Sequence, residues 1–308
     1  MHDEFGIPVT KEEKRDSLIH LYVDGGLNRR QVVRELAKVL GGTAAAVTAL
    51  QSAGLAQVIR QACPDNIKVA ENDPAIQWQN VTYLNDGVAV KALLARPANQ
   101  TDPQPAVIVI HENRGLVEHI RDVTRRVAKA GFVALGIDLI SREGGADVIT
   151  DDTQRGQAYA RTTEGNRYND MFTAVEYLQR QPFVVWDRIG TVGFCAGGGN
   201  ILYAIYNKMP LQAAVPFYGT PPANPLPGDV TTPTLCIYSE TDRAQAVRIG
   251  DVANSLVNSR VTFGIHVFKG TGHGFHNDTG AAYNPTAACE AWARTIEFLN
   301  IHLRAPRS

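Results

Sequence analysis

The chain is short of the features that mark out several large classes of protein. Its 308 residues hold four cysteines, Cys63, Cys195, Cys236 and Cys289, widely spaced and without a C-x-x-C pair. The sequence therefore suggests neither a zinc ribbon nor a disulfide framework. Cys63, Cys236 and Cys289 read as buried or partly buried thiols, because free cysteine behaves as a small hydrophobe. No run of about 18 apolar residues occurs, which argues against a membrane span. Neither sign of charge dominates: 30 basic residues against 31 acidic ones give a net charge of −1. There is no basic surplus to attract nucleic acid and no charged run to mark a disordered tail. His111, His119, His266, His273 and His276 include no pair at the i, i+4 spacing of a zinc-binding helix with its intervening glutamate, so no metal and no cofactor is expected.

What remains is the composition of a globular protein, 44% hydrophobic and 20% charged. The length suits one α/β domain of roughly 230–250 residues and an appendage of about 60. The appendage, residues 1–70, reads as helical, and the main domain as residues 71–308. Helices are expected over 11–24, with Thr10 and Glu13 as a capping box, over 28–40, and over 44–62. Arg29-Arg30 followed by a bland segment has some likeness to a twin-arginine export signal. Arg34, Glu35 and Lys38 interrupt it, and Val32, Val33, Leu36, Val39 and Leu40 fall on one helical face. A folded helix in a cytoplasmic protein is the favoured reading, with export as the alternative. These helices could cap a site, pack on the sheet's flank or build a homodimer interface; the sequence does not choose.

From residue 78 the pattern changes. Trp78–Leu84 and Val88–Arg96 alternate and flank Asn85-Asp86-Gly87, a hairpin signal. Apolar runs follow at 106–110, 132–137, 188–192, 213–218, 234–238 and 262–268, with helices expected over 118–130, 168–181, 198–207 and 286–303. Strands alternating with helices imply an α/β fold, a mostly parallel central sheet with helices on both faces. In such sheets ligands gather at the carboxyl ends of the strands.

Those ends carry the chemistry. Gly193-Phe194-Cys195-Ala196-Gly197, between an apolar run and a helix, is the strand–turn–helix context of a nucleophile elbow, with cysteine where α/β-hydrolases commonly have serine. The other strand ends carry His111-Glu112-Asn113-Arg114-Gly115, Asp138 and Arg142, Tyr218-Gly219, Ser239-Glu240-Thr241-Asp242, and Lys269-Gly270-Thr271-Gly272-His273-Gly274-Phe275-His276. Nucleophile, acid and base thus occur in the chain order of α/β-hydrolase triads. A thiol needs a base or a positive field to become thiolate at neutral pH. His273 would exchange the proton, with His276 as its competitor. Asp242 or Glu240 would orient the imidazole. A tetrahedral oxyanion needs fixed donors, for which the amides of Ala196 and Asn113 are the candidates.

Together these residues resemble the dienelactone hydrolase (carboxymethylenebutenolidase) family from about Val90 to Leu303. The most specific pieces are Ile110–Leu116, Asp138-Leu139, Gly193–Gly198, Phe217-Tyr218-Gly219 and Gly272–Phe275. The resemblance implies an α/β-hydrolase fold, Cys195 as nucleophile, Asp242 as acid and His273 as base. It implies that Glu112 contacts the resting thiol and helps deprotonate it when substrate binds. It places Arg142, Tyr218 and Asn277 at substrate-binding positions. Asn277 is a departure: it stands where the resembled enzyme has a second arginine for a substrate carboxylate, and one arginine selects a carboxylate less well than two. The expected activity is hydrolysis of ester or lactone bonds in small molecules through an acyl-enzyme. The alternatives are a broad carboxylesterase or thioesterase of the same fold, or a non-catalytic binding protein.

Overall fold

The computed structural model describes residues 10–23, 29–41, 45, 49 and 67–304. The chain divides into two compact units, Met1–Pro64 and Asp65–Ser308. In the first, α1 (Lys11–Val23) opens on the expected capping box: the Glu13 amide donates to Thr10 Oγ1 at 3.1 Å and the Thr10 amide to Glu13 Oε2 at 2.8 Å. In α2 (Arg29–Leu40), Val32 and Leu36 are one turn apart and fully buried, packed with Leu18, Ile19 and Tyr22 of α1. The twin arginines therefore begin an amphipathic helix. Of the helix expected over 44–62 only residues 45 and 49 are described, both helical, and Cys63 lies outside the described residues. Among the described residues no helix is long and apolar enough to cross a membrane.

The second unit is built on one eight-stranded sheet. Its strands are β1 (Ile76–Asn85), β2 (Val88–Pro97), β3 (Gln104–Ile110), β4 (Val133–Ile137), β5 (Val184–Phe194), β6 (Ala213–Phe217), β7 (Thr234–Ser239) and β8 (Phe263–Phe268), in the spatial order β1-β2-β4-β3-β5-β6-β7-β8. The β1–β2 and β2–β4 pairs are antiparallel and the others parallel. The β1–β2 hairpin turns at Asp86 and Gly87, both at positive φ (49° and 76°), the backbone that a two-residue turn between twisted strands requires.

The central strands are apolar throughout because both faces are covered. Alternate residues go opposite ways. Ile108, Ile110, Leu135 and Ile137 pack with Met171, Leu178 and Ile205. Val107, Val109 and Ala134 pack with Ile120, Val123, Val127, Leu299 and Leu303. The covering helices are α3 (Glu118–Lys129), α4 (Asp152–Arg161), α5 (Glu164–Gln179), α6 (Ala196–Tyr206), the single turn α7 (Arg243–Ala246), α8 (Ile249–Ser259) and α9 (Pro285–Arg304).

The sequence pattern misses α4 because that helix buries little: Ala158 is its one buried residue, and its start is set by Asp151 accepting from the Gln154 amide at 2.8 Å. It starts α5 four residues late, since the Thr163 cap precedes a polar turn. It also passes over α8, whose apolar stripe is short, with Val252 and Leu256 buried. Cys289, on α9, is disulfide-bonded, which corrects its reading as a thiol; Cys236 is a free, buried one.

Glycines at the sheet's carboxyl edge set how closely the elements pack. A Cβ on Gly219 would overlap the Gly198 backbone, whereas one on Gly156, inside α4, would meet nothing within 4 Å. Gly219→Ala should therefore destabilise the fold by at least ~2 kcal/mol, while Gly156→Ala should stabilise it by up to ~1 kcal/mol through helix propensity. Urea unfolding midpoints of the two variants check the opposite signs.

Candidate active site

The site is assembled where strand order reverses. β3 is followed by β4 on one side of the sheet and β5 on the other, so the loops leaving β3 and β5 diverge and open a crevice. Cys195 sits there between β5 and α6 with φ 55° and ψ −115°, a backbone that costs a non-glycine residue about 1–3 kcal/mol. Its neighbours hold it. The Cys195 amide donates to the Phe217 carbonyl at 3.0 Å, and its own carbonyl accepts from Gly199 at 3.1 Å. The turn also depends on bare backbone: a Cβ on Gly197 would lie 2.5 Å from the His111 carbonyl oxygen, and one on Gly198 would lie 2.5 Å from that of Phe217.

This packing brings the 111–113 loop, which carries Asn113, against the first turn of α6. Gly199 makes the first intrahelical bond, so the Ala196 amide at the helix start lies outside that ladder and is available as a donor.

The loop itself is pinned by His111. Its Nε2 accepts from the Leu139 amide at 2.9 Å and its Nδ1 lies 2.5 Å from the Glu112 carbonyl. The ring thus carries its proton on Nδ1. Burial pushes its pKa below the ordinary value, which keeps it neutral. His111 is a strut. Among the described residues no cluster of histidine, cysteine, aspartate and glutamate could hold a metal ion.

Asp242 follows β7 and His273 follows β8, and Asp242 Oδ2 lies 2.5 Å from His273 Nδ1. An aspartate at this point could have been only a helix cap, yet its side chain makes no cap bond to α7. Glu240 faces elsewhere, accepting from the Gly270 amide at 2.7 Å. His276, the competing base, is fully buried, stacked 4.9 Å from the Phe194 ring, and held well below its ordinary pKa by burial. His273 differs. Its hydrogen bond to the Cys195 side chain raises its pKa most, burial opposes this, and Asp242 adds to it, giving a value of about 9. A proton shared among a thiol, an imidazole and a carboxylate belongs to the group as a whole.

Gln245, which the sequence does not single out, donates through Nε2 to the Tyr218 carbonyl and lies 3.2 Å from His273 Nδ1. It sits one helical turn after Asp242, too short a stretch to show periodicity.

The substrate-binding positions are placed differently from expectation. Arg142 is committed to the buried Asp170, with Nη2 2.7 Å and Nε 3.2 Å from its two carboxylate oxygens. Asp170 also takes a bond from Asn85 Nδ2 at 2.6 Å. Removing one partner from such a buried pair costs about 3–5 kcal/mol, so Arg142 is not free to hold a substrate carboxylate. Tyr218 is fully buried at φ 37°, with its ring 5.0 Å from that of His273. It backs the imidazole and offers no surface to a ligand. Asn277 donates through Nδ2 to Glu112 Oε2 at 2.8 Å, fixing the carboxylate expected near the thiol. Glu112 and Asn277 also line a cavity of about 560 Å³ whose wall includes Arg114, Arg121 and Arg155 but neither Cys195 nor His273.

Comparison with known proteins places the chain in a family. The model of the dienelactone hydrolase family matches residues 90–303. A Bradyrhizobium protein named "Probable 2-oxo-3-(5-oxofuran-2-ylidene)propanoate lactonase" is 31% identical over 247 residues, covering 76% of this chain and 97% of that protein. A Saccharolobus solfataricus protein named "Putative carboxymethylenebutenolidase" is 28% identical over 262 residues, covering 72% of this chain and 97% of its own length. The crystal structure described as that of a "Putative Dienelactone Hydrolase" from Klebsiella pneumoniae superposes with a TM-score of 0.67 at 25% identity, covering 73% of this chain and 98% of that one. The chain belongs to the dienelactone hydrolase family, ester hydrolases built on the α/β-hydrolase fold.

Proposed function

We propose that the protein hydrolyses ester or lactone bonds of small molecules through a covalent thioester on Cys195, with His273 as acid and base and Asp242 as its orienting carboxylate. The observation that carries this reading is the 2.5 Å contact of His273 Nδ1 with Asp242 Oδ2 at the ends of the adjacent strands β7 and β8, on the sheet edge where Cys195 occupies a strained elbow after β5. Relatives named for lactone cleavage support a lactone among the substrates.

The steps follow from the geometry. Below its raised pKa the imidazole is protonated, and together with the start of α6 it sets a positive field in which a thiolate can form for attack. The thiolate attacks the carbonyl carbon; a C–S bond forms and the carbonyl π pair moves to oxygen. The Ala196 and Asn113 amides hold that oxyanion. As it collapses, the C–O bond to the leaving oxygen breaks and His273 Nε2 gives it the proton, leaving a thioester. His273 then takes a proton from water, whose oxygen attacks the thioester carbon. Collapse breaks the C–S bond, releases the acid and restores the thiolate–imidazolium pair. Nδ1 stays bonded to Asp242 throughout, which keeps Nε2 directed at the reacting atoms.

Cys195→Ala should lower the kcat/KM for 4-nitrophenyl acetate by at least about a thousandfold while leaving the unfolding transition intact. Wild-type rates from that variant would end the covalent mechanism. A panel of lactones, aryl esters and thioesters then ranks the substrate classes.

The pH profile is a separate check. The His273 pKa is raised in the folded state to about 9, so the imidazolium is present at neutral pH and is lost as pH rises through that value. The kcat/KM should hold to about pH 9 and fall above it. Asp242→Asn removes one of the two groups that raise the pKa. The alkaline limb should then move to lower pH, with a rate loss of about a hundredfold. A limb that stays in place would separate Asp242 from the imidazole's titration.

A further inference from the structure

A buried amide stands beside the base. Gln245, in the single turn α7, is 2% exposed. Its Nε2 donates to the Tyr218 carbonyl and lies 3.2 Å from His273 Nδ1. A carbonyl oxygen only accepts, so Tyr218 decides which end of the amide faces the imidazole, and that end is the nitrogen. An amide nitrogen donates and does not accept, so it cannot take the Nδ1 proton. The proton is left to Asp242 Oδ2, 2.5 Å away. The other end of the amide gains nothing in return: Gln245 Oε1 is buried without a hydrogen-bond partner among the described residues. A buried acceptor left unpaired is unfavourable, and an apolar side chain of the same length would avoid it. The nitrogen end is what the glutamine contributes.

The same residue joins the elements that carry the triad. Its backbone N–H donates to the Asp242 carbonyl at 3.2 Å, so it belongs to the turn that begins at the acid. Tyr218 is fixed from the elbow side. It follows β6 at φ 37°, its N–H donates to the Ile237 carbonyl at 2.6 Å, and the next residue, Gly219, lies against the Gly198 backbone of α6. The Tyr218 ring stands 5.0 Å from that of His273. The titratable groups that face His273 from the neighbouring elements are Cys195 after β5, Tyr218 after β6 and Asp242 after β7. Gln245 adds a neutral donor between the last two. We propose that Gln245 is a positioning residue for the base: clamped on the Tyr218 carbonyl, it presents a donor to Nδ1, leaves the Nδ1 proton to Asp242 alone and so fixes the orientation of the ring. The proposal rests on the hydrolase reading, and its test includes a measurement that needs no turnover.

Gln245→Met keeps the length of the side chain and removes the donor. It should lower kcat for 4-nitrophenyl acetate by about tenfold, the scale of a small misplacement of a reacting group, with KM unchanged and a cooperative unfolding transition retained. In an Asp242→Asn background the acceptor is already altered. There the same substitution should lower kcat by less than about twofold, because residues that act through one contact are not additive. Gln245→Glu puts an oxygen where the nitrogen stood, a second acceptor for the Nδ1 proton. The alkaline limb of kcat/KM should then move to higher pH, and this variant carries the test should the methionine variant not fold. Additive losses in the double-mutant cycle, a loss carried by KM, or a limb that stays in place in Gln245→Glu would overturn the proposal. If the wild type hydrolyses no ester, the hydrolase reading fails by itself, and nitrogen NMR of protein with isotope-labelled histidine decides the role of Gln245. The His273 ring signals, assigned by their loss in His273→Gln, should titrate at higher pH in Gln245→Glu than in the wild type. An unchanged titration would overturn it.

Discussion

The whole site depends on how closely bare backbone approaches bare backbone at the end of β5. Gly197 lies against the last carbonyls of β3, Gly198 against that of Phe217, and Gly219 against Gly198 itself. Each approach excludes a Cβ, and together they force the chain from strand to helix in one residue. That residue, Cys195, takes the strain as a positive φ. The same contacts fix three consequences. The sulfur stands at the start of α6, the Ala196 amide lies outside the helix ladder, and the β3 loop with Asn113 is carried alongside. A side chain at any of these glycines would push the elements apart and lose the sulfur's position and its surroundings together, because interiors packed to this density transmit displacement.

Around that turn, acids are numerous and nearly all are tied to partners of their own. Glu112 is held by Asn277, Glu240 by the Gly270 amide, and Asp170 by Arg142 and Asn85. Asp278 is held by His119 and Arg126. Asp242 is the one that faces the imidazole. Selectivity between neighbouring carboxylates thus comes from what each is bonded to, since an acid already paired has less to offer a second cation. The same logic separates the histidines. His111 is locked in one neutral tautomer by two backbone groups, His276 is neutral by burial among aromatic rings, and His273 alone has an anion on one side and a thiol on the other.

Much of this was legible in the sequence because it is local or periodic. The apolar runs of β3 and β4 required cover on both faces, the Asn85-Asp86-Gly87 turn required a hairpin, and the elbow glycines announced a tight strand-to-helix junction. The order Cys195, Asp242, His273 followed from strand ends. What escaped the sequence is set by contacts between distant segments. Nothing near Arg142 says that Asp170, on another element, neutralises it. Nothing near Tyr218 says that its ring is buried behind the imidazole. The α4 helix is held by its cap and by polar contacts, so it leaves no apolar period to read.

Asn277 and Arg142 show how the partner of a charge decides what that charge can do. Asn277 holds the Glu112 carboxylate through a neutral amide at 2.8 Å, and an amide orients a carboxylate without cancelling its charge. A cation in the place of Asn277 would pair with that acid and weaken its field. Arg142 is the opposite case. Its guanidinium is spent on the buried Asp170, which Asn85 holds as well, so its charge is cancelled within the fold before any ligand arrives. Two residues at positions that the sequence pattern reads alike therefore differ, because one neighbour is neutral and the other is charged.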